Sequence, residues 1–522
     1  MINTHLKSLF LIVCWLFAAS CHKQDPGEQN EFSEPDEQPD VSREVGFTSF
    51  GFGIHQNVLL LTQNIDCSIS DDRITALIAS AKTADGLIPV FTGSFEKVEV
   101  DGVLQQSGVN AHDFNSPVTY TLTGKDGQTR SYRVVVKVYT GLPIVTVTTD
   151  GGLSVTDKDT YVDGSVSIGK TPDFTSGYEG RMRMKGRGNA TWGYEKKPYR
   201  IKLDTKSEIL DMPADKDWVL LAEYCDRSLL RTTYGFELSR LAGLPWTSRS
   251  QHVEFFMNGI YQGTYLLCEH VKAAENRANV SDDGFLFERD NYWYQEPLWF
   301  TTVRGHHYTF KYPDAEDMTE GDADYTFIND FMDEFEQVLY SDSFKDPATG
   351  YRKYIDADNF ARWFLVQETL GNIEPNPYFV LESRSDKLKM YPVWDFEWSL
   401  GLAARNTDGT WASRPATSPV SCWYWRNNVY FDRLFEDDYF VNIVKTHRQT
   451  MKTEWLPALA VKTDEVKENI KYAQAENFKR WQIMGKYVSV ELVSFSTWEQ
   501  EVNYMKDFLQ KRIEWLDTQF NE

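Results

Sequence analysis

Apolar and polar residues alternate with period two in short runs through the first part of the chain, and recur at helical spacing further on. Between residues 46 and 139 the runs 98–100, 118–122 and 132–138 are separated by Asp101-Gly102 and Lys125-Asp126-Gly127, both good turn formers. That rhythm predicts a small β-sandwich. A larger unit, 142–522, opens with a strand at 144–147, followed by strands at 181–185 and 199–203 around a glycine-containing turn at 186–193. Phe360, Trp363, Phe364 and Leu370 recur at helical spacing, with Asp358 as the expected cap and 371–377 forbidding continuation. Strands are then predicted at 378–381 and 388–394 around a polar turn, so that Asp395 emerges where the second strand ends. Helical periodicity resumes through Trp481 and again over 497–520. The predicted class is α+β: a β-sandwich, then a larger α+β body with a helical C-terminal part.

The first residues follow a different rule. Lys7 supplies a short positive region, 9–17 are apolar, and Ala18, Ala19 and Ser20 precede Cys21. This resembles a bacterial lipoprotein signal, 1–21, and the resemblance implies cleavage before Cys21 with lipid on its sulfur. Residues 22–45, rich in Asp, Glu, Gln and Pro, read as a disordered acidic tether. The expected location is the cell envelope, lipid-anchored at the outer membrane or cell surface. The other cysteines after Cys21 are Cys67, Cys225, Cys268 and Cys422; with no CxxC pair they argue against structural zinc, and one disulfide among them stays open.

Composition narrows the partners. A net charge of -23 disfavours general affinity for nucleic acid or an anionic membrane surface, and 522 residues suggest two or three domains. Against that acidic trend, Lys185, Arg187, Lys196, Lys197 and Lys202 crowd the hairpin around Gly186 and Gly188, a natural place for phosphate. The opposite chemistry gathers near residue 395. Asn372, Glu374 and Asn376 form a polar loop that the hairpin can fold back towards Asp395, offering oxygens to a hard cation such as magnesium. If 395–397 stay extended, period two puts Asp395 and Glu397 on one side.

Two resemblances extend this reading. LIPVFTGSFEKVEVDGVLQQSG with DFNSPVTYTLTGKDGQTRSYRVVV, within 46–139, resembles the immunoglobulin-like modules that precede larger domains on bacterial surface lipoproteins, which implies a spacer or adhesion role. KGRGNATWGYEKKPYRIKLD, the long run LDMPADKDWVLLAEYCDRSLLRTTYGFELSRLAGLPWTSRSQHVEFFMNGIYQGTYLLCEHVK, GNIE and PVWDFEWSLG resemble, in order over about 143–410, the spore-coat CotH kinase family. That resemblance implies an atypical kinase-like fold using ATP with magnesium or manganese to phosphorylate Ser or Thr of secreted or surface proteins. It implies Lys202 and Arg187 as phosphate ligands and Asp395 as the metal-binding aspartate, with Asn376 and Glu397 beside it. Glu269 falls on a family motif, as a group that orients the lysine or touches nucleotide, or as a core salt bridge. Asp226 in DRSLLR most simply caps the helix that follows.

The chain also departs from that pattern. It carries Glu374 and Glu397 where family members commonly carry Asp, and positioning is most of what phosphoryl-transfer enzymes contribute. With Glu374 and Asp395 as the catalytic pair, the preferred expectation is a lipid-anchored protein kinase. The alternative is a noncatalytic surface protein that binds glycan or polypeptide, with Trp411, Trp423, Tyr424 and Trp425 open to carbohydrate stacking or to burial. A glycoside hydrolase using Asp395 and Glu397 is disfavoured, because carboxylates two residues apart lie side by side rather than across a sugar.

Overall fold

The structure is a computed structural model, and it describes residues 44–58, 60–61, 64–79, 84–169, 176–374 and 376–520. The signal segment, Cys21 and nearly all of the tether lie outside the described residues.

The class is α+β. The first ninety or so described residues form a three-stranded sheet, with Gly46–Phe52 between Ile65–Asp66 and Val90–Ser94, and a six-stranded sheet in which Thr129–Tyr139 pairs parallel to Arg73–Ala79 and antiparallel to Val118–Thr123. Phe47, Phe50 and Phe91 from one sheet meet Tyr120 and Tyr132 from the other in one aromatic core. The turns are those the sequence predicts: Asp101 and Gly102 both have positive φ, as a tight two-residue hairpin requires.

A closed barrel follows. Its strands run in the spatial order Ile144–Thr149, Val162–Ile168, Tyr178–Gly186, Tyr199–Ile209, Met212–Leu221, Ile260–Glu269, Ser250–Met257, and the last pairs parallel with the first. Closure removes the exposed edges an open sheet would carry. Period two sorts the side chains: Met182, Met184, Ile201, Leu203 and Trp218 fill the interior, while Arg183, Lys185, Arg200, Lys202 and Asp217 alternate with them on the outside.

Beyond the barrel a five-stranded sheet runs in the order Trp299–Thr301, His307–Tyr312, Phe285–Arg289, Tyr378–Leu381, Lys389–Met390. The helix Ala357–Leu370 packs against it within a core that also takes in the C-terminal helices up to Trp498–Phe520. Among the described residues no helix is long and apolar enough to cross a membrane.

Three local expectations are corrected. The cap of helix Ala357–Leu370 is Asp356, whose carboxylate accepts from the Asn359 N–H at 3.1 Å; Asp358 lies in the first turn, bonded to Arg362 and His447. The strand expected over 388–394 is only Lys389–Met390, since Pro392 has no N–H to extend the ladder. Residues 395–397 are not extended: Asp395 sits at φ +55°, so the period-two argument placing its carboxylate beside that of Glu397 does not apply.

Candidate functional site

Helix Ala357–Leu370 ends on Gly371, whose left-handed φ of +55° ends the helix and turns the chain into the loop. A side chain at 371 would press on Tyr424 at 3.1 Å. The turn delivers Asn372, fully buried, whose amide donates to the Asp395 carbonyl at 3.0 Å and whose own carbonyl accepts from the Trp425 indole at 2.7 Å. Loop and hairpin do fold together. Asn376 donates to the Asp395 carboxylate at 3.3 Å.

Asp395 is solvent-accessible, with charged side chains from the barrel and the sheet around it. Desolvation there pushes its carboxyl up to about 7; Arg187 opposes the shift, and Glu288, Glu374 and Asp290 reinforce it. Glu288 comes from the central strand Phe285–Arg289, directly opposite Tyr378 on the next strand, and is ion-paired with Lys311 at 3.0 Å. Neither Glu288 nor Asp290 was singled out from sequence. They lie two apart in one run far from residue 395, and only the pairing of strands more than eighty residues apart brings that run to Asp395.

Glu397 points elsewhere. Its carboxylate accepts from the Cys225 N–H at 2.8 Å, and burial followed by Asp226, Glu223 and Asp395 raises it to about 7. Glu374 is bound too, at 2.7 Å from Arg405, whose guanidinium lies over the Trp411 ring at 3.7 Å. Burial raises the Glu374 pKa and Arg405 opposes the rise.

The cationic wall comes from the barrel. Arg187 follows strand Tyr178–Gly186 and lies over the Trp394 ring at 5.5 Å, next to Asp395 in sequence. Burial, then Arg200 and Arg187, hold the His270 imidazole well below its ordinary value, with Asp217 opposing. Lys202 stands on the same outer face, in register with Arg183 and Asp217, one alternation beyond Arg200. Arg200 donates to Asp217 at 2.8 Å, and Lys272 meets the same carboxylate at 3.0 Å. Sequence reasoning passed over Arg200, although its spacing of two from Lys202 placed it on that face.

Other expected residues have structural partners. Glu269, itself buried, makes an ion pair with the partly exposed Arg249 at 3.0 Å, the salt-bridge account among those left open for it. Asp226 is not itself the cap of helix Arg231–Leu241, whose cap position is Leu230; from the turn before it, its carboxylate accepts from the N–H groups of Leu230 and Arg231 and pairs with the Arg231 guanidinium. Gly188 has φ +80°, and the space beside Gly186 is taken by Trp192 and the Asp157 carbonyl, so these glycines serve the loop's own packing. Lys196 is buried, donating to the Thr264 carbonyl at 2.5 Å and to Asn477 at 3.0 Å; Lys197 donates to the Trp192 carbonyl at 2.6 Å. Trp425 is buried and Trp423 packs on Trp515 and Phe520, while Cys67, Cys225, Cys268 and Cys422 are unbridged.

No curated protein matches the chain. One solved structure it is similar to, from Bacteroides thetaiotaomicron VPI-5482 and described only provisionally as a glycoside hydrolase, shares 18% identity over 36% of this chain and 54% of that one, with a TM-score of 0.17. That likeness carries no argument. The family model described as CotH kinase protein matches residues 183–516, which is well over half of the chain and includes Arg187, Arg200, Glu374 and Asp395. The chain belongs to the CotH kinase protein family.

Proposed function

We infer that the protein is a phosphotransferase of the cell envelope, moving phosphate from a nucleoside triphosphate to Ser or Thr of a secreted or surface protein. The observation that carries this reading is the meeting of Arg187, which lies over the Trp394 ring next to Asp395, with the carboxylates of Asp395, Glu288, Asp290 and Glu374, while Arg200 stands on the same barrel face paired with Asp217. In this reading the barrel and the five-stranded sheet correspond to the two lobes of a kinase-like arrangement, and the triphosphate lies between them. Arg187, Arg200 and Lys202 neutralise its oxygens through fixed positive charge.

Among the described residues no three His, Cys, Asp or Glu side chains form a ready cation cage. Magnesium needs no such cage: it is commonly held by one or two carboxylates, with substrate phosphates and water completing the octahedron. The donor set fits that use. Asp395 is a hard oxygen ligand with the Asn376 amide beside it, and the carboxylates of Glu288, Glu374 and Asp290 act on it. Bound there, magnesium or manganese supplies charge neutralisation on the transferring phosphate. Glu288 and Asp290 hold the local field negative, and Glu374, once free of Arg405, accepts the acceptor hydroxyl's proton.

We place the protein at the outer membrane or cell surface, held by lipid on Cys21 with 22–45 as tether, and we read the two N-terminal sheets as an immunoglobulin-like sandwich that spaces the larger unit from the lipid. A second reading, a noncatalytic binder of polypeptide or glycan, is favoured by the 2.7 Å Glu374–Arg405 pair, because a carboxylate held by arginine is a poor base. The deciding experiment incubates the full-length protein with ATP and magnesium or manganese and a panel of surface proteins, with Asp395→Ala as the blank, and reads phosphosites by mass spectrometry. Transfer that disappears in the blank supports the kinase. Nucleotide binding without transfer to any acceptor supports the binder.

A further inference from the structure

A cavity of about 300 Å³ opens between Trp411, Ala412, Ser413, Arg414, Ser489 and Val490. It lies apart from the triphosphate cleft yet connects to it through one stack. Glu374 holds Arg405 at 2.7 Å, Arg405 covers one face of Trp411 at 3.7 Å, and Trp411 is a wall of the cavity.

The walls are built, not draped. Glu491 is fully buried, paired with Arg227 at 2.8 Å, and accepts from the backbone N–H of Ser489 at 2.7 Å as well as from that of Val488. Arg414 donates to the Glu491 carbonyl at 2.7 Å and lies over the Tyr487 ring at 4.1 Å, tying the two walls together. The Tyr194 and Ser489 hydroxyls, 2.5 Å apart, join the same wall to the glycine loop. Groups fixed in this way recognise a ligand without first having to be ordered.

We propose that this cavity is the acceptor subsite, taking a polypeptide segment that carries an acidic side chain close to the Ser or Thr presented to Glu374. The proposal rests on the phosphotransfer reading of Glu374. Charge argues for the acidic residue: the chain is at -23 overall, but residues 403–428 carry Arg405, Arg414 and Arg426 against the single Asp408. A carboxylate in the cavity meets the Arg414 guanidinium and the hydroxyls of Ser413 and Ser489. A neutral sugar is the poorer occupant, because it leaves the Arg414 guanidinium without a counter-charge.

The test uses full-length protein and two fluorescent peptides, identical except that Glu residues flanking a central Ser become Gln, with binding followed by anisotropy in the absence of nucleotide. The acidic peptide should bind about fivefold more tightly or better, and the preference should vanish in Arg414→Gln and in Ser413→Glu, the latter on an exposed position with no structural bond to lose. Equal binding of the two peptides by wild type overturns the proposal. So does a preference that survives both variants, or saturable binding of a neutral oligosaccharide that displaces the acidic peptide. Because nucleotide is absent, failure here is distinct from failure of phosphotransfer, which the Asp395→Ala blank reports.

Discussion

Arg512, on the C-terminal helix, donates to the Glu368 carboxylate at 2.8 Å in an interior where neither side chain touches solvent. Glu368 also accepts from the N–H groups of Tyr424 and Trp425 at 2.8 and 2.7 Å, so one carboxylate joins the helix before Asn372, the aromatic loop and the last helix. Removing one partner of a buried pair strands the other's charge, at a cost of about 3–5 kcal/mol. Arg512→Met should therefore lower the melting temperature strongly, whereas Arg512→Met with Glu368→Leu should recover part of the loss. A double variant no more stable than the single one, by denaturant titration, would show that the charge pair is not what Arg512 contributes.

Asp395 sets a pH dependence with a definite sign. Its pKa is raised in the fold to about 7, so the native state holds a proton that the unfolded chain releases near pH 4, and the stabilisation from this group is lost as pH rises through 7. A divalent cation binds the ionised form. Thermal stabilisation by magnesium and ATP should accordingly grow from pH 6 to pH 8, and Asp395→Asn should abolish both the stabilisation and its pH dependence. Nucleotide stabilisation of Asp395→Asn equal to that of wild type would place the metal site elsewhere.

Lys196 runs the other way. Burial lowers its ammonium to about 7, with Glu223, Glu254 and Glu397 opposing, so the native state carries fewer protons there than the unfolded chain. The stability it contributes is complete above the unfolded lysine range, near pH 10.4, and is lost as pH falls through 7. Between pH 7 and 9.5 wild type should gain stability relative to Lys196→Met. Parallel melting curves across that window would show that the lysine keeps its charge in the fold.

Glu374 and Arg405 separate the enzyme from the binder. Glu374→Gln keeps the size of the side chain and removes its basicity, so phosphate transfer should fall about 10²-fold or more while nucleotide binding survives. Glu374→Asp restores the residue the family commonly carries and should retain measurable transfer. Arg405→Gln should shift the pH profile of transfer, since Arg405 opposes the raised pKa of Glu374. Unchanged transfer in Glu374→Gln would remove this residue from the mechanism.

Cys21 tests the anchor independently of the chemistry. Cys21→Ser should leave the chain unlipidated, altering its mass and membrane fraction. A variant with the mass, lipid label and membrane fraction of wild type would remove lipid on Cys21 from the account.

Much of the local structure was already legible in the residues. Period two at 118–122 and 132–138, the turns at Asp101-Gly102 and 125–127, and the helical recurrence before Gly371 and after Thr497 each depend on neighbours a few positions away, and the structure has them as Val118–Thr123, Thr129–Tyr139, Ala357–Leu370 and Trp498–Phe520. The residue types also pointed to Arg187 and Asp395, because a basic glycine loop and an acidic hairpin stand out locally against a chain of this composition. What the sequence could not supply is which distant segments meet. The barrel closes through strands 144–149 and 250–257, Glu288 reaches Asp395 only through a strand pairing with Tyr378, and Glu374 faces Arg405 rather than open water. The left-handed backbone at Asp395 likewise is imposed by its surroundings, since Asn372 grips the Asp395 carbonyl and Phe396 fills the space beside Gly235. Periodicity is a property of neighbours along the chain, whereas the raised carboxyls and the suppressed imidazole of this site arise from charges brought together by packing, and only the tertiary structure decides those.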